Sequence, residues 1–183
     1  MIEQPTLESE RLRLRPFQLS DALDVRRMAG DRRVADTTLN IPHPYEEGMA
    51  EEWITTHGPG YRQESLATFA ITLRDSAALI GAIGLSVRRG DDCAELGYWI
   101  GIDHWNQGYC TEAAHRVLAF GFQQLRLNRV HASHMARNPA SGRVMAKLGM
   151  RSEGIRRQHV KKWNKYEDLA IYGLLQTELK GPA

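Results

Sequence analysis

The stretch AELGYWIGIDHWNQGYCTEA, residues 94–113, decides how this chain folds. Its first part, Ala94 to Ile102, has the composition of a buried strand, and a short polar loop with one glycine then leads into an amphipathic helix. The first amides of such a helix have no partner within it, and with the helix dipole they form a site for an anion such as pyrophosphate. Gly108 would let the backbone approach the anion, although an ordinary tight turn also explains a glycine here.

A second informative stretch, NPASGRVMAKLGM, covers residues 138–150. Asn138 precedes Pro139, which fits the first turn of a helix because the missing proline N–H has no partner there. Gly149 follows at the position where a left-handed residue ends a helix. These residues predict a shorter helix that comes after a strand at 129–136.

The remaining pattern predicts an α/β domain with a mixed, mostly antiparallel sheet of about seven strands and about four flanking helices. We expect a single domain over residues 1–183, because no repeat or linker divides the chain. The predicted strands are 12–17, 67–73, 79–87, 93–102, 129–136, 151–162 and 168–175. The predicted helices are 22–28, 45–57, 108–125 and 138–148, the second of them ended by Gly58-Pro59-Gly60.

Composition excludes several classes of protein. Of the 183 residues, 42% are apolar and 25% charged, with a net charge of +2, and no apolar run is long enough for a membrane span. We expect a cytoplasmic protein with reduced cysteines, no metal, no membrane contact and no specific nucleic acid. NAD and ATP are poor candidates, since neither of their glycine-rich motifs is present. The basic segment from Arg156 to Lys165 is either a solvated hairpin or a contact for an acidic partner or for RNA.

With these two stretches in place, the chain resembles the GNAT superfamily of N-acetyltransferases, and most closely its ribosomal-protein N-terminal (alanine or serine) acetyltransferase branch. The matching features also include ESERLRLR at residues 8–15 and YEDLAIYGLL at residues 166–175, so the resemblance covers nearly the whole chain. Trp105 and Cys110 depart from the usual residues of the superfamily's phosphate motif, but the backbone that binds phosphate should be preserved.

The resemblance implies acetyl-CoA as the donor and assigns a set of binding residues. The pyrophosphate would lie on the amides of Gln107, Gly108, Tyr109, Cys110 and Thr111. The pantetheine arm would pair like an added strand with the backbone of Ile100, Gly101 and Ile102. Asn138 would bond the pantetheine or the acetyl carbonyl, although an asparagine before a proline is also an ordinary helix cap.

Two residues are candidates for proton transfer. Glu95, on the strand that faces the donor, would accept a proton from the amine, although a purely structural pairing also explains a glutamate here. Ser141 would lie near the sulfur and protonate the departing thiolate, although a solvated serine is also common in the first turn of a helix. A peptide α-amine, with a pKa near 8, is partly neutral at pH 7, whereas a lysine amine near 10.4 is almost wholly charged. An N-terminal acceptor therefore needs only a weak base or an ordered water.

The leading expectation is an acetyltransferase that acts on a protein N-terminal α-amine, as a monomer or a homodimer. The enzymatic alternative is a small-molecule amine as acceptor, such as an amino acid, a polyamine or an antibiotic. The alternative from another class is a CoA-binding regulatory module without catalysis.

Overall fold

The computed structural model describes residues 3–179 of the chain. Its strands are β1 Leu7–Glu8, β2 Leu12–Arg15, β3 Leu66–Leu73, β4 Leu79–Arg88, β5 Cys93–Ile100, β6 Arg129–Met135, β7 Arg151–Lys162 and β8 Lys165–Leu175. Its α-helices are α1 Ala22–Ala29, α2 Arg32–Thr37, α3 Met49–Thr55, α4 His57–Arg62, α5 Tyr109–Gln123 and α6 Pro139–Lys147.

The strands form one sheet in the order β1-β2-β3-β4-β5-β6-β8-β7. Every neighbouring pair is antiparallel except β5 and β6, which run parallel because α5 connects them. The mixed, mostly antiparallel sheet predicted from the sequence is therefore confirmed, and β3, β4 and β5 form an antiparallel meander within it. The prediction of about seven strands missed only the two-residue β1.

Side-chain alternation along β5 divides the core between the two faces of the sheet. Leu96 and Ile100 pack with α5 on one face, whereas Trp99 packs with α1 and α3 on the other. The α5 face is fully packed by the apolar side of that helix, including Val117 and Leu118. The side chains on the two faces of β5 thus pack against different helices.

Three helix predictions need correction. Residues 32–37 lie outside every predicted helix but form α2, whose first turn is capped by the Asp31 side chain, which accepts from the Arg33 amide. The helix predicted over 45–57 begins only at Met49, after Gly48 in the left-handed conformation. Gly58-Pro59-Gly60, expected to end that helix, lies inside α4, because Pro59 occupies the first turn, where its missing N–H leaves no bond unmade.

An opening in the sheet separates the two parallel strands. Cys93–Glu95 of β5 pairs with Arg129–His131 of β6, and beyond these three pairs the strands diverge. β6 nevertheless stays paired with β8 along its whole length. The carboxyl half of β5 therefore has an unpaired edge that faces the N-terminal ends of α5 and α6.

Candidate functional site

Two cavities meet at this opening. The first, which we call the α5 groove, has a volume of about 330 Å³ and is lined by the N-terminal turns of α5 and α6. The second, which we call the chamber, has a volume of about 660 Å³ and lies toward α1, α3 and the loop after α2. Tyr98, Trp99 and Ser141 line both cavities, so the two spaces communicate across β5.

The N-terminus of α5 opens into the groove. Gly108 caps the helix with φ of 81° and ψ of −4°, a left-handed conformation that favours glycine. The amides of the following turn have no acceptor inside the helix, and their residues line the groove. Of the five residues predicted for pyrophosphate, Gly108, Tyr109, Cys110 and Thr111 line the groove, and Gln107 precedes them in the turn.

The backbone edge of β5 that faces the opening includes Tyr98 and Ile100, whereas Gly101, also predicted to pair with the pantetheine arm, is bonded within the protein. The Gly101 amide donates to the Ile80 carbonyl at 2.8 Å, and the Gly101 carbonyl accepts from the His104 amide at 2.9 Å. Because backbone groups in an antiparallel pair alternate in direction, those of Tyr98 and Ile100 face away from β4 and into the opening. The Ile100 carbonyl is held by the Trp105 indole at 2.7 Å. Ile102 begins the short turn after β5, and its carbonyl accepts from the Trp105 amide.

Tyr98 and Ser141 meet where the two cavities join. The Tyr98 hydroxyl lies 2.8 Å from the Ser141 hydroxyl, and burial raises the pKa of Tyr98 above its ordinary value. The phenol therefore stays protonated throughout the physiological range. Sequence reasoning singled out Ser141 but missed Tyr98, although Tyr98 stands two residues before Ile100 and so shares its edge of the strand.

Asn138 occupies the cap of α6, at the rim of the groove. Its side-chain oxygen accepts from the Ser141 amide at 3.5 Å, and its amide nitrogen donates to the Thr37 carbonyl at 3.5 Å. The helix-capping alternative is thus present in the structure, and the same side chain lines the α5 groove.

Glu95 lies on the opposite face of β5 from Tyr98 and lines the chamber. Its carboxylate accepts a hydrogen bond of 3.2 Å from the Ser133 hydroxyl on β6. Glu52 of α3 is the other carboxylate of the chamber, and no lysine or arginine lines this cavity among the residues described. The chamber therefore suits a cationic group and offers no partner for an anion.

Cys110 packs against the core at the start of α5, and burial raises the pKa of its thiol to about 12. A thiol with such a high pKa is a poor nucleophile at neutral pH.

Within residues 3–179, no three His, Cys, Asp or Glu side chains are grouped to hold a metal ion. Over the same residues, no helix is both long enough and apolar enough to cross a bilayer.

The sheet, the opening and the helix terminus are those of an acyl-transfer fold, and the comparison with known families identifies it. Residues 11–151 match the family described as the acetyltransferase (GNAT) domain. The chain therefore belongs to the GNAT family and is an N-acetyltransferase that uses acetyl-CoA. The resemblance stated from the sequence is confirmed.

Among its relatives, the uncharacterized N-acetyltransferase YnaD of Bacillus subtilis is 30% identical over 94% of this chain and 98% of its own. A solved GNAT-family acetyltransferase from Bacillus anthracis has a TM-score of 0.85 and 26% identity, with 95% of this chain and all of that chain covered. RimL, a ribosomal L7/L12 α-N-protein acetyltransferase solved with coenzyme A, has a TM-score of 0.86. It is only 14% identical over 93% of this chain and 98% of its own, so it shares the fold alone.

Proposed function

We propose that this enzyme, as a single domain over residues 1–183, transfers the acetyl group of acetyl-CoA to the N-terminal α-amine of a protein or peptide. The observation that carries the proposal is the junction of two unlike cavities at Tyr98 and Ser141. One cavity ends at a helix N-terminus, which suits a phosphorylated donor, and the other has only carboxylates as its charged groups, which suits an amine.

The donor is assigned to the α5 groove. The amides that follow Gly108 would hold the pyrophosphate, and the outward backbone groups of Tyr98 and Ile100 would pair with the pantetheine arm. Arg143 and Lys147 of α6 also line the groove and add positive charge for phosphates. Acetyl-CoA supplies the activated acetyl group, and the protein residues bind and orient it.

The acceptor is assigned to the chamber. A free amino acid carries a carboxylate next to its amine, and that anion would meet Glu52 and Glu95 without a compensating cation. In a peptide the same carboxylate is an amide, so this unfavourable interaction disappears. The charges of the chamber therefore favour a peptide N-terminus, or a polyamine, over a free amino acid.

The proton transfers of the reaction would use residues on opposite faces of β5. On the chamber side, Glu95 accepts the proton that the ammonium group must lose before the nitrogen attacks the thioester carbon. On the groove side, the Ser141 hydroxyl gives its proton to the sulfur as the carbon–sulfur bond breaks, and Tyr98 replaces that proton through the 2.8 Å hydrogen bond. The nitrogen loses two protons, one from the ammonium before attack and one from the tetrahedral intermediate, and the sulfur gains one. The products are therefore the amide, the free thiol and one proton that leaves to solvent.

The choice between a peptide and a polyamine rests on the α-amine itself. An α-amine with a pKa near 8 needs little help from a base, and Glu95, a carboxylate that lines the chamber, would supply it. The name of RimL, a protein α-N-acetyltransferase with the same fold, agrees with this acceptor. The rival acceptors are small-molecule amines, and the rival class is a CoA-binding module without turnover.

The test is release of free CoA from acetyl-CoA with matched acceptors. The panel contains short peptides with free N-termini, the same peptides blocked at the N-terminus but carrying a lysine, polyamines, and alanine beside alanine amide. We expect turnover with free N-termini, none with blocked peptides, and faster turnover of alanine amide than of alanine. Preference for a polyamine would overturn the peptide assignment, and CoA binding without turnover of any amine would favour the regulatory module.

A further inference from the structure

Arg11, at the start of β2, contacts the phosphate turn from outside the groove. Its Nη1 donates to the Gln107 carbonyl at 3.0 Å, and its guanidinium stacks 4.5 Å above the Tyr109 ring. A methyl group on Gly108 would lie 3.5 Å from its Nη2. The lining of the α5 groove includes Gly108 but not Arg11. Arg11 therefore packs behind the turn rather than beside a bound donor.

The bond to Gln107 determines where the next amide points. In a trans peptide the carbonyl oxygen and the amide hydrogen lie on opposite sides. Because the Gln107 carbonyl points toward Arg11, the N–H of Gly108 points away from Arg11. The left-handed conformations of Asn106, with φ of 60°, and of Gly108, with φ of 81°, place this peptide in a tight turn.

Arg11 also neutralises the Glu112 carboxylate, whose negative charge would repel a phosphate at the start of α5. Glu112 lies in the first part of α5 and accepts from the Ser9 hydroxyl at 2.7 Å, from the Arg11 amide at 2.8 Å and from the Arg11 Nε at 2.7 Å. Burial alone would raise the pKa of Glu112, but these hydrogen bonds lower it below its ordinary value. The carboxylate is thus ionised, and without Arg11 its charge would repel a phosphate at the same helix end.

We propose that Arg11 is a positioning residue for the donor's pyrophosphate, which it serves by fixing the Gln107–Gly108 peptide and neutralising Glu112. The inference rests on the proposed donor site in the α5 groove. The proposal gives a function to the N-terminal segment around Arg11. This segment lies about a hundred positions before the turn in sequence, and the pairing of β2 in the sheet brings it to the start of α5.

The test measures CoA binding by calorimetry in Arg11→Met, a substitution that retains much of the apolar stem. We expect the dissociation constant for CoA to rise about tenfold, the effect of one charge-assisted hydrogen bond. Arg13→Met is the matched control, because Arg13 lies two residues further along, on β2, is exposed and pairs with Glu8 at 3.0 Å. This control should bind CoA as the wild type does.

Two further measurements distinguish positioning from simpler effects. Activity with acetyl-pantetheine, which lacks the phosphates, should fall far less in Arg11→Met than activity with acetyl-CoA, whereas an equal fall would reveal a general structural defect and overturn the proposal. Arg11→Lys keeps the charge but cannot form the same set of bonds, so we expect it to remain weak. Full affinity in Arg11→Lys would overturn the positioning role in favour of charge alone.

Wild-type CoA affinity in Arg11→Met, beside a wild-type protein that binds CoA, would likewise overturn this inference and leave the proposed function intact. A wild-type protein that fails to bind CoA at all would overturn the donor site itself. The two failures are therefore distinguishable. Thermal unfolding of each variant establishes that it is folded before binding is measured.

Discussion

The hydroxyl of Tyr98 lies 2.8 Å from the hydroxyl of Ser141, and this hydrogen bond connects β5 to the first turn of α6 across the opening in the sheet. The two residues are 43 positions apart in sequence. Both residues line the α5 groove and the chamber, so their hydrogen bond lies at the junction of the two cavities. In the proposed mechanism this pair would supply the proton to the departing thiolate.

Tyr98→Phe tests this pair. We expect kcat to fall by about 100-fold, the lower end of the usual contribution of one general acid, with little change in CoA affinity. Ser141→Ala should lower kcat by a comparable factor. The double variant should have nearly the same kcat as either single variant, because both hydroxyls belong to one proton relay. Steady-state kinetics of the three variants with one peptide is the measurement. Additive losses would show that the two hydroxyls act independently.

Glu95→Gln tests the base. We expect the largest loss of kcat/KM at low pH, on the order of 10-fold or more near pH 6, and recovery as the pH approaches the pKa of the acceptor amine. Ser133→Ala, which removes the hydrogen bond to Glu95, should retain the wild-type shape of the profile. The pH dependence of kcat/KM for both variants decides the matter. A loss in Glu95→Gln that does not vary with pH would assign the carboxylate to substrate positioning.

Gly108→Ala tests the phosphate turn against a matched glycine. Gly108 and Gly149 have φ of 81° and 78°, and an added methyl group meets ordinary contact at Gly108 and open space at Gly149. Each substitution should therefore lower the free energy of unfolding by about 1 kcal/mol through backbone strain. Only Gly108→Ala should weaken CoA binding, as measured by calorimetry. Equal CoA affinities in the two variants would remove the donor from this turn.

His57 gives a prediction about stability. It is buried against Phe17 and Trp53, neither ring nitrogen has a hydrogen-bond partner, and burial lowers its pKa to about 4. An unfolded histidine, with a pKa near 6.5, binds a proton that the folded state excludes. Stability should therefore fall by about 3 kcal/mol as the pH drops from about 6.5 to 4.

His57→Leu should remove this dependence, so that the difference in unfolding free energy between the variant and the wild type grows in the variant's favour toward pH 4. Denaturant unfolding at several pH values measures it. His159→Leu, at an exposed position, is the control and should follow the wild type. A constant difference between His57→Leu and the wild type would show that His57 does not titrate in this way.

The strands and the long helices could be predicted because their signals are local. Alternation over residues 66–100 gave β3, β4 and β5 within one to two residues, and the cap at Asn138 with Gly149 gave the bounds of α6. α2 was missed because its residues are mostly polar, and its stability comes from packing of Val34 and Ala35. Pro59 misled the prediction because its position within a helix turn, rather than its identity, decides whether it breaks a helix.

By itself the sequence determined the family and the glycine-bearing turn before α5, since both depend on neighbours in the chain. Through the family resemblance it also named Glu95, Asn138 and Ser141 as candidate residues. Only the tertiary structure decided that Tyr98 faces Ser141, that the Gly101 amide is already bonded within the sheet, and that Arg11 packs behind Gly108. These relationships depend on how β5 diverges from β6 and on which edge of a strand a residue presents. Such contacts join segments that are distant in sequence, so no local pattern encodes them.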